Sequence, residues 1–302
     1  MSKKINTALE IAGVHFRNPV IAASGTFGFG GEYSSFIDVS TLGGIATKAL
    51  TITPRSGNKG ARLWETPAGL LNSIGLENPG IAAFIEHELP AMKKLGPVII
   101  ANLGGATLEE YSQGARLLNG AEIDMIELNI SCPNVKAGGM AFGLAPECAA
   151  EVTAAVRRAA PSKPLIVKLS PNAPDVNAVG LACVSAGADA LSLVNTFKAM
   201  AIDIEKRAAV FDNISAGLSG PAIRPIALRM VYELCAVVNC PVIGMGGIDS
   251  AEAALEFLIA GARAVMVGSA TFPRPETMPE IAAGIEAYMR RKNIASLRGL
   301  HF

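Results

Sequence analysis

The chain has 302 residues with 26 Lys+Arg against 26 Asp+Glu, so its formal net charge is zero, which argues against a nucleic-acid partner because phosphates require excess cations. Half of it is hydrophobic and only 17% is charged, which excludes disorder, and the length suits one large domain over residues 1–302. Residues 1–13 hold lysines with no continuous apolar stretch behind them, and no apolar run approaches the ~20 residues of a membrane span. A cytoplasmic protein with no membrane attachment is therefore expected.

Residues 6–19 are expected to form a small hairpin. Short β-prone apolar runs then alternate with helical stretches. Strands are predicted over 20–23 and 44–48, the second followed by a long insert over 51–80 and a helix over 81–95. A strand over 98–102 leads to a helix over 108–118. The next, over 125–129, leads through a Gly-rich segment at 135–143 to a helix over 147–159. Strand 165–168 precedes a helix over 177–186, and strand 190–195 precedes a second long insert, 196–220, and a helix over 223–238. Strand 242–245, helix 251–260 and strand 264–267 complete the series.

These runs are nearly all apolar rather than alternating, as parallel strands covered on both faces should be. Eight such units favour an α/β fold of the (β/α)8 barrel type over a doubly wound sheet, with the hairpin closing the floor and the long inserts on the active-site face. No Gly/Ser- or Pro-rich linker divides the chain, so one domain is expected.

The strand ends carry Ser24, Lys48, Asn102, Asn129, Lys168, Asn195, Gly246-Gly247 and Gly268-Ser269, which converge on the mouth of such a barrel. A buried lysine is expensive unless it faces an anion, so two of them point to an anionic or electron-rich ligand. Gly-rich turns after the seventh and eighth strands occupy the common phosphate position of this fold, where backbone N–H groups approach phosphate oxygens. Glycine there also serves any tight turn, so the phosphate reading draws on the barrel count and Ser269 as well.

Five cysteines without a CxxC pair make zinc, iron–sulfur ligation and disulfides improbable in this chain. Cys148, Cys183, Cys235 and Cys240 read as small packed residues. Cys132 differs: it stands beside Pro133 and Asn134 just past the fourth strand, and a thiol with an ordinary pKa of about 8.5 is a usable general base once shifted. His15, His87 and His301 fall at no strand end, which disfavours a histidine base. Without GxGxxG or a Walker loop, flavin mononucleotide (FMN) fits best as the phosphorylated cofactor, and no metal is expected.

Several segments together resemble dihydroorotate dehydrogenase: Ala23-Ser-Gly-Thr26, Thr47-Lys-Ala49, Asn72-Ser-Ile-Gly-Leu-Glu-Asn-Pro79, Asn129-Ile-Ser-Cys132-Pro-Asn134, Lys168, Asn195-Thr196, Gly217-Leu-Ser-Gly-Pro221 and Gly244-Met-Gly-Gly247. The resemblance runs through essentially the whole chain. It implies oxidation of (S)-dihydroorotate to orotate in pyrimidine synthesis with one FMN per chain. A cysteine at the base position resembles the soluble class, and the segments after Cys132 and Gly217 resemble its NAD-linked, two-subunit type. That type implies a homodimer within a heterotetramer, whose partner subunit carries FAD and a [2Fe-2S] cluster and reduces NAD+.

By the same resemblance Cys132 is the base. Lys48, Asn72, Asn129, Asn195 and Thr196 hold substrate, with the backbone of Ser73, Ile74, Gly75 and Leu76 completing the wall. Ser24, Lys48, Ala49, Asn102, Asn129, Val194 and Gly220 hold the flavin ring. Lys168 stabilises charge on it, and Gly246, Gly247, Gly268 and Ser269 hold its phosphate. Three alternatives stay open: a fumarate-linked one-subunit enzyme, a related flavin-dependent pyrimidine reductase or dihydrouridine synthase, and a non-catalytic barrel binding a phosphorylated metabolite.

Overall fold

The computed structural model describes residues 5–131 and 142–300. Eight parallel strands close into a barrel in sequence order: β1 (Val20–Ala22), β2 (Gly44–Ala46), β3 (Val98–Leu103), β4 (Met125–Asn129), β5 (Leu165–Lys168), β6 (Ala190–Leu193), β7 (Val242–Met245) and β8 (Ala264–Val267). Closure comes from β8 pairing with β1, Val267 opposite Ala22. All eight predicted strands are present, with boundaries differing by at most two residues. Almost every strand residue is buried, which is why the runs read as uniformly apolar.

Seven helical segments cover the barrel among the described residues. The first, α1, runs through Ile81–Ala83, Phe84–Glu88 and Leu89–Lys93, with the middle stretch wound as a π-helix. Pro90 explains the widened turn, because it has no N–H to give to a carbonyl four residues back and its ring crowds that carbonyl. Next come α2 (Leu108–Asn119), α3 (Pro146–Ala159), α4 (Val176–Ser185), α5 (Arg224–Val237), α6 (Ala251–Ile259) and α7 (Thr277–Arg291). In α2 the buried positions Tyr111, Gly114, Ala115 and Leu118 form one stripe, and the Thr107 side chain accepts from the Glu110 amide as N-cap.

Two differences from the sequence reading concern helices. The last one, α7, was not among the six predicted. The connection from β1 to β2 contains only the short 3-10 turns Gly31–Tyr33 and Val39–Thr41, so the first unit lacks an α-helix.

The expected hairpin forms from Leu9–Ile11 and Val14–Phe16 around a two-residue turn, Ala12-Gly13, with both φ angles positive. It buries Ile11 and Phe16, and the Phe16 ring lies against Gly44 at the start of β2, which puts the hairpin at the floor. At the opposite end the two long inserts build one antiparallel sheet in the order 197–199, 216–219, 69–72, 63–66. That sheet forms a wall above the C-terminal strand ends.

Candidate active site

A cavity of about 1030 Å³ opens at the C-terminal end of the barrel, under the insert sheet. Its lining includes the predicted Ser24, Lys48, Ala49, Asn129, Lys168 and Val194 from the strand ends. Asn72, Ser73, Ile74, Gly75 and Leu76 come from the first insert, and Asn195, Thr196 and Gly220 from the second. The turns after β7 and β8 add Gly246, Gly247, Gly268 and Ser269. Two predicted residues stand apart. Asn102 is fully buried in β3 behind the cavity rather than on its lining. Cys132 lies outside the described residues, as do residues 135–141 of the Gly-rich segment.

The lysines meet their charge requirement inside the chain, which the sequence reading did not anticipate. Lys168, 4% exposed, has its ammonium 3.9 Å from a carboxylate oxygen of the fully buried Glu127. Lys48 lies 4.0 Å from Glu77, and Glu77 also pairs closely with Arg62. The hydrogen bond from Arg62, with the charge of Lys48 added, holds the Glu77 carboxyl below the usual carboxylate range.

The amides are also held. Asn72 Nδ2 donates to the Gly217 carbonyl at 3.1 Å, tying the two inserts together. Asn195 Nδ2 donates to Ser131 Oγ, and Ser131 Oγ donates to Asn129 Oδ1 at 2.6 Å. Within 73–76, Asn58 donates to the Ile74 carbonyl at 2.8 Å and to Ser73 Oγ at 3.0 Å. Asn78 donates to the Leu76 carbonyl at 2.7 Å.

Glu127, Glu77, Arg62, Ser131 and Asn172 were not singled out from sequence. Glu127 had a signal, a lone acid in the apolar run Met125–Asn129. Ser131 and Glu77 sat inside quoted motifs, whereas Arg62 and Asn172 carried none. Asn172 reaches the site from beyond β5, donating to the Thr196 carbonyl at 3.1 Å.

The glycine turns pass a test for a phosphorylated flavin. Gly246 and Gly247 have φ of +131° and +69°, and a Cβ on Gly247 would stand 2.7 Å from the Gly220 carbonyl oxygen. The N–H groups of Gly247, Gly268 and Ser269 meet no acceptor among the described residues. Free N–H groups at a cavity wall suit phosphate oxygens, and lysine with amides suits a pyrimidine-like ring edge. Gly247→Ala is therefore expected to destabilise the protein by about 1–3 kcal/mol, read by thermal melting.

Burial pushes the thiols of Cys183, Cys235 and Cys240 up from 9.0 to about 11. Below pH 9 the fully buried Cys183 should react with a thiol reagent only on unfolding. The sign for stability follows: the unfolded thiols ionise near pH 9 and the folded ones do not, so the folded state loses stability as pH rises from 9 to 11. Equilibrium urea unfolding at several pH values measures this.

Among the described residues no group of three or more His, Cys, Asp or Glu side chains is placed to hold a metal, and no helix is long and apolar enough to cross a membrane. The family profile for dihydroorotate dehydrogenase matches residues 6–289. Curated relatives named dihydroorotate dehydrogenase B (NAD(+)), catalytic subunit, include one from Petrotoga mobilis, 57% identical over 293 residues and 97% of each chain. Another, from Caldicellulosiruptor saccharolyticus, is 52% identical over 296 residues and 98% of each chain. A third, from Geotalea daltonii, is 52% identical over 298 residues, 98% of this chain and 97% of its own. With its barrel, its mouth cavity and these full-length similarities together, the chain belongs to the dihydroorotate dehydrogenase family.

Proposed function

We propose that this chain is the catalytic subunit of an NAD-linked dihydroorotate dehydrogenase, acting in the cytoplasm as one FMN-binding domain. It oxidises (S)-dihydroorotate to orotate in pyrimidine synthesis. The observation that carries this reading is one cavity in which the paired Lys168, the amides of Asn72, Asn129 and Asn195 and the glycine turns converge. FMN bound there would supply the hydride acceptor for carbon 6 of the substrate. Cys132 takes the proton from carbon 5, so that the new double bond forms between the two carbons.

The chain's other residues bind and orient. Lys48, Asn72, Asn129, Asn195 and Thr196 hold the carboxylate and ring edge of the substrate, with the 73–76 backbone as its wall. Ser24, Ala49, Val194 and Gly220 flank the flavin ring, with Asn102 supporting from behind. Lys168 supplies positive charge to the flavin, and Gly246, Gly247, Gly268 and Ser269 hold the phosphate. A partner subunit carrying FAD and a [2Fe-2S] cluster, within a heterotetramer built on a homodimer of this chain, would supply the route to NAD+. Leu63 and Phe272, 49% and 45% exposed at the cavity mouth, offer the apolar rim that a partner covers.

Co-purification from the native source tests the reading. A complex with FMN, FAD and iron that reduces NAD+ with dihydroorotate supports it. An isolated chain that reduces fumarate with equal efficiency would place it in the one-subunit class, and a chain that takes up no flavin would remove the enzyme reading.

A further inference from the structure

Glu127 is the one acidic side chain that is buried among the described residues, and the proposed reaction does not use it. Its surroundings follow from strand register. Asn102 on β3 pairs with Glu127 on β4, and Lys168 on β5 lies between Asn129 on β4 and Ser192 on β6. Ser192 Oγ donates to one carboxylate oxygen at 2.7 Å. Asn102 Nδ2 donates to the other, which also faces the Lys168 ammonium at 3.9 Å. Upstream, Asn129 Nδ2 donates to Asn102 Oδ1 at 3.4 Å, Ser131 Oγ donates to Asn129, and Asn195 donates to Ser131.

Every donor in this series points toward Glu127. A carboxylate can only accept, so it fixes the direction of the whole series. The charge consequence is separate. Where Lys168 reaches the cavity it comes as half of a buried ion pair, and the pair's field on a neighbouring ring is weaker than that of a bare ammonium. Electrons added to a flavin are favoured by a nearby ammonium and opposed by a nearby carboxylate, strongly so in a site removed from water.

We propose that Glu127 is a positioning residue that holds Lys168 at the cavity floor and offsets its charge, keeping the potential of the bound flavin low enough to pass electrons on to a nicotinamide acceptor. This rests on the functional reading above. A flavin that keeps its electrons too firmly cannot deliver them to a weak oxidant, so an acceptor of that kind demands such an offset.

The test is the midpoint potential of FMN bound to the purified chain, measured by reductive titration. Glu127→Gln keeps the shape and removes the charge, and is expected to shift the two-electron equilibrium toward the reduced side by about tenfold, or about 30 mV. Glu127→Asp keeps the charge and should stay within about threefold of the wild type. Ser192→Ala strips one hydrogen bond from the carboxylate and should lower the potential, and it carries the test if Glu127→Gln does not fold. An unchanged or lowered potential in Glu127→Gln overturns the proposal, as does Glu127→Asp shifting equally, or an unmoved potential in Ser192→Ala if that variant carries the test. A wild-type chain that binds no flavin overturns the functional reading and this proposal together, whereas bound flavin with unmoved potentials overturns only this proposal.

Discussion

On the proposed role of Cys132 as base, Cys132→Ser is expected to keep the flavin absorbance while losing about 10²–10⁴-fold in turnover at neutral pH, the usual contribution of a positioned base. A thiol ionises near pH 8.5 before any shift, and a serine hydroxyl lies far above that, so the variant cannot accept the carbon-5 proton at comparable rate. Its residual activity should climb with pH where the wild type has levelled. Steady-state oxidation of dihydroorotate with an artificial acceptor measures this without the partner subunit. Turnover near that of the wild type would remove Cys132 from the role of base.

Lys168→Met is the second large effect. It leaves the Glu127 carboxylate buried without its cation, and breaking such a pair from one side costs about 3–5 kcal/mol. Urea unfolding of the flavin-free chain should show that loss, and the flavin-loaded variant should be reduced more slowly by substrate. Adding Glu127→Leu to Lys168→Met removes the stranded charge, so more than half of the lost stability should return. A single-variant loss under about 1 kcal/mol would mean the two side chains do not act as a buried pair.

The barrel was legible because its chemistry is local. A strand covered on both faces must be largely apolar, and Ala264–Val267 is wholly so. Helix α7 was not among the predicted helices, although Met278, Ile281, Ile285 and Met289 repeat on one face; Pro273, Pro275 and Pro279 around its start interrupt the local helical pattern. The insert sheet left no comparable trace. Its strands are short and partly exposed, and Leu71 pairs with Leu218, a partnership no local pattern announces. The strand-end residues pointed to the cavity because the fold fixes where strand ends go. What lies behind them depends on register: Asn102 sits beside Glu127, and Glu127 in turn stands beside Lys168, neighbours that no local pattern in the sequence announces.

The insert sheet also bears on how the molecule comes into being. Its two halves are separated by more than a hundred residues and by four barrel strands, so the sheet cannot close until those strands have found their order. Contacts this distant in sequence are slow to form, because the chain entropy they remove is lost before they are rewarded. The hydrogen bonds from Asn72 to Gly217 and from Asn213 to Ser73 therefore mark a late event on the folding route. By this order, the wall over the cavity is completed after the strands whose ends line its floor.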